Sequence, residues 1–323
     1  MPHLHNDPNL SKPTIGVIGA GAWGTALAYA IARSGLPVVL WARREMALSN
    51  CPEHITLTTN PADLASVSIA LMVVPAQVTR DVCALFAPVL SQNTAVIACA
   101  KGIEQETGLY MTQVIAQVLP HVQTAILSGP GFAEDVIAGL PTAVTLAASE
   151  MQRAETLAKT LSSSYLRLYH TDDVRGVEIG GAAKNVLAIA AGIVTGKGLG
   201  ESARAALIAR GFAELIRFAT LSGARMETLI GLSGLGDLVL TCNSEKSRNY
   251  ALGLALGQGH ALQDASKGKL VEGVYTATIL HRQAKAIGVD MPIVAAVDAV
   301  LSRQWPLDEA VRTLMSRPQK AEF

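Results

Sequence analysis

Aromatic residues are scarce in this chain, at 4% of the sequence, although hydrophobic residues make up 50%. A core with few rings must be filled by Ala, Val, Leu and Ile, which favour closely packed helices and strands. Net charge is missing as well, since 26 basic residues balance 26 acidic ones. That balance excludes a global field recruiting nucleic acid or an acidic membrane, and leaves only a local anion site. Cysteine is sparse. Cys51, Cys83, Cys99 and Cys242 are widely spaced, with no C-x-x-C pair, which fits reduced thiols better than a disulfide framework. His3, His5, His54, His121, His170, His260 and His281 show no metal-ligand spacing, so no structural metal is expected. No charge-free apolar run clearly reaches the ~20 residues that span a bilayer, so no stable membrane insertion is expected. The opening "MPHLHNDPNLSKP" lacks the apolar core of a signal peptide and reads as a loose tail over 1–12. The expected setting is the cytoplasm.

What is present is a change of pattern midway. At 323 residues the chain is long enough for two domains. From Thr14 to about Asp173, apolar runs such as "TIGVIGA", "PVVLWA", "SIALMVVP", "TAVIACA", "TAILSGP", "TAVTLAA" and "YLRLYH" alternate with amphipathic segments. This alternation predicts a mostly parallel sheet covered on both faces by helices. After about Val177 the strand signal stops and helical segments follow, joined by "GKGLGES" and "GLSGLGD". The expected organisation is an α/β Rossmann-like dinucleotide-binding domain over 13–177 and an all-α substrate domain over 178–323.

The first strand runs into Gly19-x-Gly21-x-x-Gly24 and a helix. In that context Gly19 allows a tight turn, Gly21 lets backbone approach a pyrophosphate, and Gly24 permits close helix packing. The helix start then offers N–H groups to phosphates. An NAD-selective fold usually places Asp or Glu at the end of the second strand. Here "VVLWARREM" puts Arg43 and Arg44 there. Guanidinium groups would bind a 2′-phosphate, so NADP(H) is favoured, with NAD(H) admissible and a solvated arginine pair as the plain alternative. Pro75 and Lys101 follow two further strands, at the carboxyl edge where open α/β sheets bind ligands.

In the helical half, "EIGGAAKNVLAIAAGIVTG" sets Lys184 and Asn185 inside an apolar helix. Gly180 and Gly181, one turn earlier, are expected to leave space beside the lysine stem. A lysine in an apolar site has a lowered pKa and can act as general acid or base. Snorkelling to solvent and an ion pair with Glu178 or Asp237 stand as alternatives. Asn185 is expected to steer the ammonium or a substrate hydroxyl. Asp237 closes a glycine-rich turn, as a helix cap or as a partner for an ammonium or hydroxyl. Ser247, Arg248 and Asn249 open another helix with groups that suit a phosphate.

Read together, these motifs resemble bacterial NAD(P)-dependent glycerol-3-phosphate dehydrogenase. The resemblance runs through "GAGAWGTALA", "AKGIE", "SGPGFAEDVIAGLPTAV", "GGAAKN", "ARAALIARGFAE", "GLGDLVLTC", "SRN" and "VEG" in order, nearly the whole chain. It implies reduction of dihydroxyacetone phosphate to sn-glycerol 3-phosphate for phospholipid synthesis, by a homodimer. It implies that Lys184 is the catalytic proton donor and acceptor, held by Asp237, and that Lys101 contacts substrate and cofactor. Gly129, Asp237, Ser247, Arg248 and Asn249 match substrate positions, and Gly131 falls at a further one. Ala22, Trp23, Ala133, Arg248, Leu270 and Glu272 match cofactor positions. There are two departures. The family usually has Ser or Thr where this chain has Gly131, which implies weaker or altered phosphate binding. The segment after Arg44 is also short and lacks the family's Asn-x-x-Phe/Tyr-Leu-Pro. A reductase of another phosphorylated or acidic carbonyl compound, and a non-catalytic NADP(H)-binding regulator, are the rival readings.

Overall fold

The computed structural model describes residues 12–266, 268, 270–318 and 321. The expected tail falls almost wholly outside the described residues. Among the described residues eight strands form one sheet: β1 (Ile15–Ile18), β2 (Val38–Trp41), β3 (Ile55–Thr58), β4 (Ile69–Met72), β5 (Ala95–Ala98), β6 (Gln123–Ser128), β7 (Thr142–Ala148) and β8 (Leu166–Thr171). Their spatial order is β3-β2-β1-β4-β5-β6-β7-β8. All pairs are parallel except β6 with β7. Strands β1, β4 and β5 are buried at every residue, the condition that produces continuous apolar runs in a sheet covered on both faces. The Rossmann-like expectation therefore holds.

Strand β3 was not anticipated, because it lies in the segment read as a shortened loop. Its residues, ITLT, are only half-buried at the sheet edge, so they lack the apolar run that marks the central strands. The order in which strands are added reverses between β1 and β4, and the carboxyl edge there is where such sheets bind ligands.

The helical half is organised around Val174–Gly196, buried from Gly176 to Val194. A helix apolar on every face belongs in a core. By length and composition it could cross a bilayer, yet its apolar window lies wholly inside the fold. It starts at Val174, four residues before the expected boundary, because the Asp173 side chain accepts the Gly176 N–H at 2.8 Å and caps it. Helix Arg248–Gly257 packs along it through facing glycines. A Cβ at Gly192 would stand 2.2 Å from the Tyr250 carbonyl oxygen, and one at Gly253 would stand 2.0 Å from that of Ile189. Small residues thus bring two helix backbones together where larger ones would hold them apart, as the poverty in rings requires. This contact fixes Lys184, on the first helix, relative to Ser247 and Arg248, at the start of the second.

Candidate active site

A cleft of about 590 Å³ lies between the two halves. Its floor on the sheet side is the turn after β1. Gly19 takes φ +114°, a conformation that favours glycine. A Cβ at Gly24 would fall 1.8 Å from the Gly19 carbonyl oxygen, whereas one at Gly21 would meet nothing within 4 Å. Gly24 therefore seats the helix Ala22–Ala32 against the strand end, and Gly21 leaves its start open. The first N–H groups of that helix have no intrahelical partner. An open helix start, a bare glycine approach and a cleft of this size fit a dinucleotide pyrophosphate. Ala22, Trp23, Pro75, Lys101, Gly131, Ala133, Arg248 and Glu272 all line the cleft. Arg43 and Arg44 stand exposed just beyond β2, outside the residues that line it.

At the other end of the cleft two lysines share one carboxylate. Lys184 Nζ donates to Asp237 Oδ1 at 2.5 Å and to Thr241 Oγ1 at 2.8 Å. Lys101 Nζ donates to Asp237 Oδ2 at 2.6 Å and to the Gly129 carbonyl at 2.7 Å. Asp237 is 1% exposed. It is the first residue of helix Asp237–Cys242, which follows the π-helical turn Leu232–Gly236, and its side chain serves the lysines rather than a helix cap. Thr241 lies one turn further along, on the same face, and also donates to Asp237 Oδ1 at 3.2 Å. No motif marks Thr241; its spacing of four from Asp237 in "DLVLTC" is the one signal the sequence offers.

Burial pushes the Lys184 ammonium down to about 8, against the opposing pull of Asp237, and Lys101 adds repulsion in the same direction as burial. Burial alone would raise Asp237, but the Lys101 and Lys184 charges outweigh it and hold the carboxyl below its usual range. An ammonium has three N–H groups. Among the described residues Lys184 and Lys101 each spend two on the protein, so each keeps one for a ligand oxygen.

Three expectations about this region need correction. Gly180 and Gly181 do not open space beside Lys184. A Cβ at Gly180 would lie 2.9 Å from the Ser233 carbonyl oxygen, and one at Gly181 would lie 2.7 Å from Ser128 Oγ and 3.5 Å from Lys101 Cγ. The glycines let the π-helical turn and Lys101 approach the helix. Glu178 does not pair with Lys184; it accepts from the Thr112 N–H and hydroxyl at 2.9 and 2.8 Å. Asn185 is not bonded to the Lys184 ammonium. Its Nδ2 donates to the Lys101 carbonyl at 2.9 Å, and its Oδ1 accepts from Asn249 Nδ2 at 2.9 Å. Asn249 Oδ1 in turn accepts the Gly273 N–H at 2.9 Å. This amide relay holds the Lys101 loop against the helical half.

The remaining predicted residues also gather here. Ser247 caps helix Arg248–Gly257 by accepting the Tyr250 N–H at 3.3 Å, which leaves the first N–H groups of that helix free for an anion. Arg248 donates to the Leu270 carbonyl at 3.0 Å. Glu272 Oε1 accepts the Ala76 N–H at 3.0 Å, and its buried Oε2 has no partner among the described residues; burial raises its pKa. A Cβ at Gly131 would stand 3.1 Å from the Trp23 ring, so the indole rests against the position where a side chain would begin.

Family comparisons agree with this geometry. Residues 14–51 and 48–154 match the NAD-dependent glycerol-3-phosphate dehydrogenase N-terminal model, and residues 173–312 match the C-terminal model. A glycerol-3-phosphate dehydrogenase [NAD(P)+] of Azorhizobium caulinodans is 54% identical, over 95% of this chain and 98% of the relative. One from a Bradyrhizobium species is also 54% identical, over 96% and 98%. The crystal structure of the Coxiella burnetii glycerol-3-phosphate dehydrogenase superposes with TM-score 0.88 at 38% identity, covering 95% of this chain and 99% of that one. The chain belongs to the NAD-dependent glycerol-3-phosphate dehydrogenase family.

Proposed function

We propose that this chain reduces dihydroxyacetone phosphate to sn-glycerol 3-phosphate, reversibly, with NADPH favoured over NADH. The observation that carries the reading is the pair of buried lysines on Asp237, each with one N–H left, in a cleft that also holds a dinucleotide-type glycine turn. The bound nicotinamide supplies the hydride. Lys184 donates its proton to the oxygen that becomes an alkoxide, and its charge stabilises that oxygen beforehand. With a pKa of about 8 it is mostly protonated at neutral pH yet acidic enough to give the proton up. Asp237 fixes both ammonium groups, and Thr241 fixes the direction of the third bond. Lys101 touches the same substrate region and, through the carbonyl of Gly129, the loop beneath it.

The substrate phosphate is assigned to Arg248 and the open start of its helix, with Ser247 and Asn249 beside it. Arg43 and Arg44 are assigned to the cofactor 2′-phosphate, and Ala22, Trp23, Ala133, Leu270 and Glu272 to the rest of the dinucleotide. A cytoplasmic setting, a homodimer and supply of glycerophospholipid synthesis belong to the same reading, supported by family membership. The test is a panel of phosphorylated and acidic carbonyl compounds with NADPH oxidation as readout. Dihydroxyacetone phosphate is expected to give the highest kcat/KM; a higher value for any other compound overturns the assignment.

A further inference from the structure

The two halves meet through buried contacts and through exposed ones. Among the buried contacts, Glu178 is 4% exposed where it receives Thr112, Asn185 holds the Lys101 carbonyl, and Glu272 holds the Ala76 N–H. An exposed cluster also bridges the halves at the cleft. Lys246, in the loop before Ser247, lies 3.0 Å from Glu134 Oε2 and 3.8 Å from Asp135 Oδ1. Its ammonium also stands 5.7 Å from the Phe132 ring centre. The Lys246 side chain is 46% exposed and that of Glu134 is 69% exposed. Phe132, Glu134 and Lys246 all line the cleft.

We propose that Lys246 with Phe132, Glu134 and Asp135 is a latch across the mouth of the cleft, which must open for ligand to leave. Exposed ion pairs are weak and screened by salt, so this cluster can break and reform readily. The buried contacts cannot, since separating a buried carboxylate from its donors is strongly unfavourable. The difference makes the buried contacts the fixed ones and the Lys246 cluster the moving one. Because Ser247 and Arg248 follow Lys246 directly, opening the latch carries the start of their helix away from the dinucleotide half. This inference rests on reading the cleft as a dinucleotide site.

The latch is tested by stopped-flow measurement of NADPH release, using nucleotide fluorescence at low salt. The Glu134→Gln, Asp135→Asn double variant and Lys246→Met are each expected to release NADPH about two- to fivefold faster, the scale of an exposed pair. Combining all three substitutions should give no further increase, and Lys246→Glu with Glu134→Lys should return the rate toward that of the parent. The carboxylate variant separates a latch from a simple charge effect. Removing two negative charges should slow the departure of an anion if only the field matters, whereas loss of a latch speeds it. Unchanged or slower release from that variant overturns the proposal. Failure of the unaltered protein to bind NADPH at all would instead overturn the cofactor reading itself.

Discussion

Replacing Asp237 by Asn separates the charge of this residue from its shape. The carboxylate is 1% exposed and receives charge-assisted bonds from two ammonium groups, at 2.5 and 2.6 Å. At an effective dielectric constant near 20, opposite charges about 4 Å apart attract by about 4 kcal/mol. That corresponds to about three pH units for a group relying on the attraction. Lys184 starts at about 8 with Asp237 in place. Without it, burial and Lys101 both push downward unopposed, and Lys184 is largely neutral at pH 7. A neutral amine is no proton donor for the developing alkoxide, so kcat for reduction should fall by about 10²–10⁴, the usual worth of general acid catalysis.

The pH profile carries the sign. In the unaltered enzyme the donor form is lost as pH rises through about 8, so the reduction rate falls on that alkaline limb. In Asp237→Asn the same limb should move to lower pH. The assay is kcat and kcat/KM for dihydroxyacetone phosphate with saturating NADPH from pH 5 to 9, with circular dichroism confirming that the variant is folded. A folded variant with its alkaline limb still near 8 and kcat within tenfold of normal would refute the argument.

Two other outcomes follow from the same geometry. Arg43→Ala with Arg44→Ala should raise KM for NADPH much more than KM for NADH, because only NADPH offers a 2′-phosphate for a guanidinium; an equal change in both contradicts the assignment. At Gly131, where a Cβ would come 3.1 Å from the Trp23 ring and 3.3 Å from Thr142 Cγ2, substitution by Thr should displace the indole. The expected result is a severalfold rise in KM for dinucleotide with a smaller change in KM for dihydroxyacetone phosphate, an overpacking effect of about 1–3 kcal/mol; unchanged dinucleotide KM contradicts it.

The dinucleotide half was readable because central parallel strands must be apolar at every position, and β1, β4 and β5 are. Strand β3 escaped because a four-residue edge strand with no buried residue carries no such signature. In the helical half, Lys184 stood out as a charge in an apolar helix, and Asp237 as a carboxylate ending a glycine turn. What joins them was hidden. Thr241 lies 57 residues from Lys184 in sequence, and no local pattern says that two helices bring them together. The bonds made by Asn185 and Asn249 were hidden for the same reason, since an amide beside a lysine reads equally well as a ligand contact or a brace. Gly180 and Gly181 were legible as places of close approach, but the sequence did not say whether ligand or protein would fill them. The protein fills them, with Ser233 backbone, Ser128 and Lys101.

The most direct test of the central claim is the turnover of Lys184→Ala with dihydroxyacetone phosphate and NADPH, both at saturation. The account predicts a folded protein that binds NADPH normally and loses at least about a hundredfold in kcat. Near-normal kcat in that variant, with substrate properly bound, would contradict it.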